Sequence, residues 1–372
     1  MAVDSAMQQK PATISPGAGA APARRSWYRA LLAPALRRAR RGVEQRPLAL
    51  ALQGGGSFGA FTWGVLDRML EEDRIVLDAI SGASAGAVNA VILANGLAAG
   101  GPQAARAGLR RFWKRVSDAS PLAPFGSFAH TAAIAGSSAL DLSARVFSPY
   151  QLNPLGLNPL RRLLTAEVDF ERLRRSSPVR LLIAATRVTD GQLRLFREDE
   201  ITLEAVLASA CLPQISHAVE IDGECYWDGG YSANPPLREL VVQSHADDIV
   251  LVQLTPERHE GVPRLSRDIT RRVSQITFNG PLRREMEALA DLCELCQRER
   301  FFRSRLCRRI QRFRLHRIAA EHAVEMLAQA SPLNLDWSFL SRLEQRGYDA
   351  AARWLAGEDE SEAGALAAAN ER

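Results

Sequence analysis

The feature that most restricts this chain is the run Ser81-Gly82-Ala83-Ser84-Ala85-Gly86. It follows a short apolar run, Ile75 to Ile80, and precedes a helix-like run, Ala87 to Leu97. Ser84 is therefore expected where a strand turns sharply into a helix. Gly82 and Gly86 lack a Cβ, so the backbone can fold tightly around the serine and another element can pack close. In this setting the G-x-S-x-G pattern reads as a nucleophile elbow, which holds a hydroxyl proud of a sheet.

A second glycine-rich turn lies upstream. Leu48 to Leu52 is a short apolar strand that runs into Gly54-Gly55-Gly56-Ser57-Phe58-Gly59. Ala60, Phe61, Trp63, Val65, Leu66, Met69 and Leu70 then recur at helical spacing. A loop that joins a strand to a helix N-terminus presents unpaired amides at the positive end of the helix dipole, a ready place for negative charge. Two functions compete for it. Gly54, Gly56 and Gly59 match the dinucleotide fingerprint G-x-G-x-x-G, and Asp78 follows about twenty residues on. The same amides would also serve as an oxyanion hole. No Gly-Lys-Ser/Thr follows, which excludes a P-loop. A dinucleotide fold places an acidic residue at the end of the next strand; here that strand ends in the serine elbow, with Asp78 inside it.

Downstream, Val179 to Ala185 and Gln192 to Phe196 read as strands and Ile201 to Ala210 as a helix. Val219 to Ile221 and Cys225 to Trp227 form a hairpin that delivers Asp228-Gly229-Gly230, and Ile249 to Leu254 is a further buried strand. Strands alternating with helices over residues 46–255 predict an α/β fold with a mainly parallel sheet. Residues 1–45 read as a disordered and basic N-terminal segment, 256–356 as a helical C-terminal extension, and 357–372 as an acidic tail. Ser117 to Leu160 is turn-rich, with Asp118, Asp141 and Arg145 its only charged residues. It reads either as a lid whose Phe125, Phe128, Ile134, Leu140, Leu142, Val146, Phe147 and Tyr150 line an acyl-chain entrance, or as an ordinary helix-loop excursion.

A serine hydroxyl needs a base. His245 or His259, after Asp228, would complete a Ser-Asp-His order of the α/β-hydrolase kind. Alternatively Asp228 itself, enclosed and within reach of Ser84, takes the proton. Gly229 and Gly230 allow the sharp turn that aims such a carboxylate.

Together the three motifs resemble the patatin-like phospholipase family: Gly54 to Gly59, then Gly82-Ala83-Ser84-Ala85-Gly86, then Asp228-Gly229-Gly230. Ala208 to Pro213 and Tyr231-Ser232-Ala233-Asn234-Pro235 are similar to it as well. The resemblance implies a three-layer α/β/α sandwich and a lipid acyl hydrolase working through a Ser-Asp dyad. Ser84 would be the nucleophile and Asp228 the proton acceptor, with the Gly54, Gly55, Gly56, Ser57, Phe58 and Gly59 amides as the oxyanion hole. It implies no metal and no organic cofactor. The family usually carries a basic residue where this chain has Phe58.

Composition narrows the remaining classes. The net charge is +5, and Lys10 and Lys114 are the only lysines. Nine arginines between Arg298 and Arg317, interleaved with apolar residues, read either as a solvated helix face or as a face for anionic lipid. Trp27 to Leu36, followed by Arg37, Arg38, Arg40 and Arg41, offers a similar choice. No nucleic-acid module accompanies them, so a nucleic-acid partner is not expected. Five irregularly spaced cysteines argue against a disulfide framework, and Cys293 and Cys296 read as two thiols on a helix face. With no signal peptide and no long apolar span, the chain is expected in the cytoplasm, either free or peripheral on the inner membrane surface.

Overall fold

A computed structural model of the chain describes residues 45–119, 148–257, 259, 261–298, 304–320 and 332–358. The N-terminal basic segment, the seven lid residues Phe125 to Phe147 and the acidic tail beyond Glu358 lie outside the described residues. The described part begins with β1 (Arg46–Leu52) and, after a short 3-10 turn, α1 (Gly59–Met69). β2 (Ile75–Gly82) and the long α2 (Ala85–Asp118) follow, then α3 (Pro149–Leu152), α4 (Pro159–Glu167) and α5 (Phe170–Ser176). β3 (Arg180–Arg187), β4 (Leu193–Arg197), α6 (Leu203–Ser209) and the hairpin β5 (Val219–Ile221) and β6 (Glu224–Asp228) come next. Last are α7 (Leu237–Gln243), β7 (Asp248–Gln253), α8 (Ser266–Arg298), α9 (Arg305–Arg312), β8 (Arg314–Ala319) and α10 (Trp337–Ala356).

The eight strands form one sheet, with hydrogen-bonded neighbours in the order β5-β6-β3-β2-β1-β7-β8 and β4 on β3. The pairs β1–β2, β1–β7, β2–β3 and β7–β8 are parallel. Side chains of a strand alternate between faces, and here both faces are buried. Leu48, Leu50 and Leu52 enter a core with α1, α2, α6 and α10, whereas Ala49 and Ala51 enter a second core with α7, α8 and α9. The result is the expected three-layer α/β/α arrangement. Among the described residues no helix is long and apolar enough to cross a membrane.

The pairing of β3 positions the site. Leu182 and Ile183 pair with both β2 and β4, while Ala185 and Thr186 pair with both β4 and β6. A strand has two edges, so β4 takes one, and β2 and β6 share the other. They meet head-on: β2 ends with Gly82 opposite Ile183, and β6 ends with Asp228 opposite Ala185.

Three expectations for the C-terminal part need correction. The helical extension read over residues 256–356 is interrupted after Arg312, and Arg314–Ala319 pairs with β7 from Asp248↔Arg314 to Gln253↔Ala319. The sheet thus continues beyond residue 255. An arginine-dense run hides this strand, but three of its arginines, Arg309, Arg314 and Arg317, bind groups of the fold. Arg314 forks onto Asp248 at 2.7 and 2.6 Å, and Arg317 donates to Gln253 Oε1. Arg309 donates to the carbonyls of Val241 and Ala246 and to Asp247. These three are therefore not part of a free basic face, while Arg305, Arg308 and Arg312 are exposed. The cysteine expectation also fails, because α8 and α9 fold back on each other and join Cys296 to Cys307. Cys293 stays a thiol.

α10 lies along α1 with backbones in near contact. A Cβ on Gly64 would sit 1.8 Å from the Glu344 carbonyl oxygen, and one on Gly347 2.0 Å from that of Phe61. Only two facing glycines permit this approach. Gly347→Ala is expected to cost about 1–3 kcal/mol by overpacking, read as a lowered urea midpoint at unchanged slope.

Candidate active site

Ser84 caps the N-terminus of α2 with φ 53° and ψ −126°, a left-handed φ that a non-glycine residue adopts at a cost. Its strain is held by neighbours. The Ser84 N–H lies 3.1 Å from both the carbonyl and the hydroxyl oxygen of Ser209, at the end of α6. Gly86 N–H donates to Ala83 O at 2.9 Å, which closes the elbow. Ser84 is buried but retains 7% exposure, while Ala83 and Gly82 are enclosed below it.

Asp228 ends β6 and is fully buried. Its N–H donates to Cys211 O at 2.8 Å, and its carbonyl accepts the Thr186 hydroxyl at 2.8 Å. The segment Ser209–Cys211 thus braces both strand ends, Ser84 through one residue and Asp228 through another. Asp228 Oδ1 accepts the Gly230 N–H at 2.8 Å. Oδ2 is buried and, among the described residues, has no hydrogen bond of ordinary geometry. Burial pushes the carboxyl up to about 7, while the Ser84 hydroxyl and the Gly230 amide oppose that shift. Gly229 packs where a Cβ would fall 2.1 Å from Ala184 O.

The Gly54–Gly59 loop arches over the elbow: a Cβ on Gly54 would lie 2.7 Å from Ser84 Cβ. Its amides are not equivalent. Gly54 N–H donates to Asn234 Oδ1 at 2.7 Å, Ser57 N–H to Pro332 O at 2.8 Å and Phe58 N–H to Gly55 O at 3.2 Å. Gly59 N–H turns back to Gly56 O and Ser57 O. Four of the six expected oxyanion donors are therefore engaged elsewhere. Among the described residues, the Gly55 and Gly56 amides make no hydrogen bond, and neither does that of Ala85, the first residue of α2.

Asn234 carries a role that the sequence alone did not reveal. It is wholly buried, holds Gly54 on one side and donates to Phe278 O of α8 at 3.1 Å on the other. Gln53 works similarly from the front of the loop: its Oε1 accepts Leu254 and Thr255 N–H at 2.7 and 2.9 Å. A buried amide beside a motif was the available signal, but its partner lies 180 residues away. Phe58 packs its ring against Phe339 of α10 at 6.4 Å, so the position that usually carries charge anchors the C-terminal helix instead.

The competing constellations fall elsewhere. Asp78 Oδ2 accepts the Ser244 hydroxyl and the His245 N–H at 2.8 and 2.7 Å, which ties β2 to the turn before β7. It does not approach the glycine loop as a ribose ligand would. His245 is exposed beside Asp78, His259 is exposed, and His316 is buried on Asp248 at 2.8 Å. No described histidine hydrogen-bonds Ser84; His130 and His322 lie outside the described residues.

Comparison with known proteins follows the same line. The uncharacterized protein YjjU of Escherichia coli (strain K12) is 26% identical over 220 residues, covering 58% of this chain and 54% of that protein. The chain thus spans about half the length of this curated relative. Among solved structures, VipD from Legionella pneumophila aligns over 85% of this chain and 67% of its own, at 16% identity and a TM-score of 0.42. The ExoU-SpcU complex of Pseudomonas aeruginosa gives 15% identity and a TM-score of 0.35 over 86% of this chain and 53% of that one. The family model described as patatin-like phospholipase matches residues 50–241, over half of the 372 residues, and takes in the glycine loop, the elbow and the Asp-Gly-Gly turn. The chain belongs to the patatin-like phospholipase family.

Proposed function

We propose that this chain hydrolyses fatty-acyl esters of lipids through an acyl-enzyme on Ser84, with Asp228 as the base. The observation that carries the reading is the pairing of a strained, nearly enclosed serine with a fully buried carboxylate that has one oxygen unengaged. Asp228 Oδ2 takes the proton as Ser84 Oγ attacks the ester carbonyl carbon. The carbonyl π pair moves to oxygen, and the Gly55 and Gly56 amides are the free donors suited to receive that charge. Collapse breaks the ester C–O bond, and the proton on Asp228 passes to the leaving alcohol. Water then attacks the acyl carbon, gives its proton to Asp228, and releases the acid as Ser84 Oγ recovers that proton. The reading needs no metal and no organic cofactor for any step.

Three outcomes are expected. First, a fluorophosphonate probe labels the wild-type chain, and labelling vanishes in Ser84→Ala; labelling that persists in the variant would overturn the assignment. In the wild type the labelling rate climbs with pH through about 7 and then levels, because the ionised carboxylate is the base.

Second, the raised carboxyl has a stability signature. Its ionised form is disfavoured in the fold, so the cost is absent below the ordinary carboxyl range and grows as pH rises through about 7. Asp228→Asn should therefore lose activity yet unfold at higher urea than wild type at pH 8, by up to about 4 kcal/mol, with the difference gone near pH 4.

Third, Asn234→Leu leaves the Gly54 amide without its acceptor and frees the loop. It should lower kcat on a soluble short-chain ester about ten-fold or more with little change in KM. An unchanged kcat would mean the loop holds itself.

A further inference from the structure

The first half of α8 presents an apolar stripe to the outside. Leu265, Ile269, Val273 and Ile276 follow one another at helical spacing and are 58%, 45%, 57% and 57% exposed. Thr270, Ser274 and Thr277 border the stripe on one side and are also exposed. About two turns further on, past Gly280-Pro281, the same face continues into Arg283 and Arg284, both exposed. The opposite face of the helix is buried through Leu282, Met286 and Leu289, which fixes its rotation. Four large apolar side chains in one row on an outward helix face are more than the scattered exposure of an ordinary surface.

Charge identifies the occupant. Residues 262–284 carry six arginines, Arg264, Arg267, Arg271, Arg272, Arg283 and Arg284, against one carboxylate, Asp268. Arg271 leans on Asp268 at 3.7 Å, and Arg272 reaches Gln275 Oε1 and the Glu257 carbonyl; Arg283 has Glu287 at 3.8 Å. By helical spacing Arg272 flanks the apolar row and the exposed Arg283 and Arg284 extend it, the profile of a helix that lies in an anionic lipid interface. A protein groove for such a helix would need its own carboxylates to offset these cations.

The stripe is also joined to the candidate site. Two residues past Ile276, the Phe278 ring packs against Tyr231 at 5.0 Å and fills the space beside Gly230. The Phe278 carbonyl accepts from Asn234. We infer that the N-terminal half of α8 is a docking face for an anionic membrane surface, set beside the Asp228 turn so that a docked chain holds its site at the lipid. This rests on the hydrolase reading for its purpose, though not for the binding itself.

The test uses Ser84→Ala chain, which leaves vesicles intact, and co-sedimentation with phosphatidylcholine vesicles with and without phosphatidylglycerol. The parent should bind the anionic vesicles in preference to the neutral ones. Ile269→Ser/Val273→Ser/Ile276→Ser should lower partitioning about ten-fold or more. Arg283→Gln/Arg284→Gln should remove most of the preference for phosphatidylglycerol, and it decides the matter if the triple variant loses its fold by circular dichroism. On a wild-type Ser84 background, each folded variant should keep its rate on a water-soluble short-chain ester. Binding equal to the parent in both variants overturns the inference. So does a parent that ignores vesicles and instead forms a dimer dissolved by the same substitutions. Vesicle binding by a wild-type chain that turns over no ester would sink the hydrolase reading and leave the docking face standing.

Discussion

Two strands of opposite direction end on one edge of β3, and the candidate chemistry depends on that collision. β2 arrives parallel and stops with Gly82 opposite Ile183; β6 arrives antiparallel and stops with Asp228 opposite Ala185. Neither chain can continue, so both must turn out of the sheet at the same place. The first turns into α2 through a serine at positive φ, the second into a 3-10 turn through two glycines. The Ser209–Cys211 backbone bridges the junction by accepting one amide from each side. A sheet with uninterrupted pairing at β3 would place the serine and the carboxylate on strand ends that do not meet.

This junction exacts a cost in stability. A carboxylate with no exposure, one hydrogen bond from Gly230 and a second oxygen left without one is a poor structural choice. The same desolvation raises its proton affinity to where a base for a hydroxyl must lie. The surrounding core compensates: both faces of the central strands are enclosed, with Leu50, Ala51, Val250 and Leu251 at zero exposure. Strain at Ser84 and desolvation at Asp228 are therefore local terms carried by a rigid frame.

Much of this frame was legible in the sequence because its signals are short-range. A glycine turn after an apolar strand, a G-x-S-x-G before a helical run, and a hairpin ending in Asp-Gly-Gly each announce themselves within about ten residues. What was hidden is long-range. Asn234 reaches Gly54 across 180 residues, and Pro332 takes the Ser57 amide from a segment read only as a helical appendage. The strand β8 was hidden differently. Arg314, His316 and Arg317 look like a solvated face until Asp248 and Gln253 appear opposite them. The Cys296–Cys307 bond likewise depends on α8 and α9 folding back, which no cysteine spacing encodes.

The C-terminal third also settles how the glycine loop can lose its usual basic side chain. At that position Phe58 meets Phe339, while Trp63 meets Trp337 one turn along, with ring centroids 6.0 Å apart. α10 is drawn onto α1 until Gly64 and Gly347 touch opposing backbone, and the Pro332 carbonyl closes on the loop from the same side. A charged residue at position 58 would need water or a counter-ion where this chain supplies an aromatic ring. Aromatic packing at Phe58 and hydrogen bonds from Ser57 and Gly54 therefore fix the loop from outside, leaving the Gly55 and Gly56 amides turned away from the pairing that binds their neighbours. The two amides proposed as donors for a developing negative charge are thus those left over by what the rest of the loop holds.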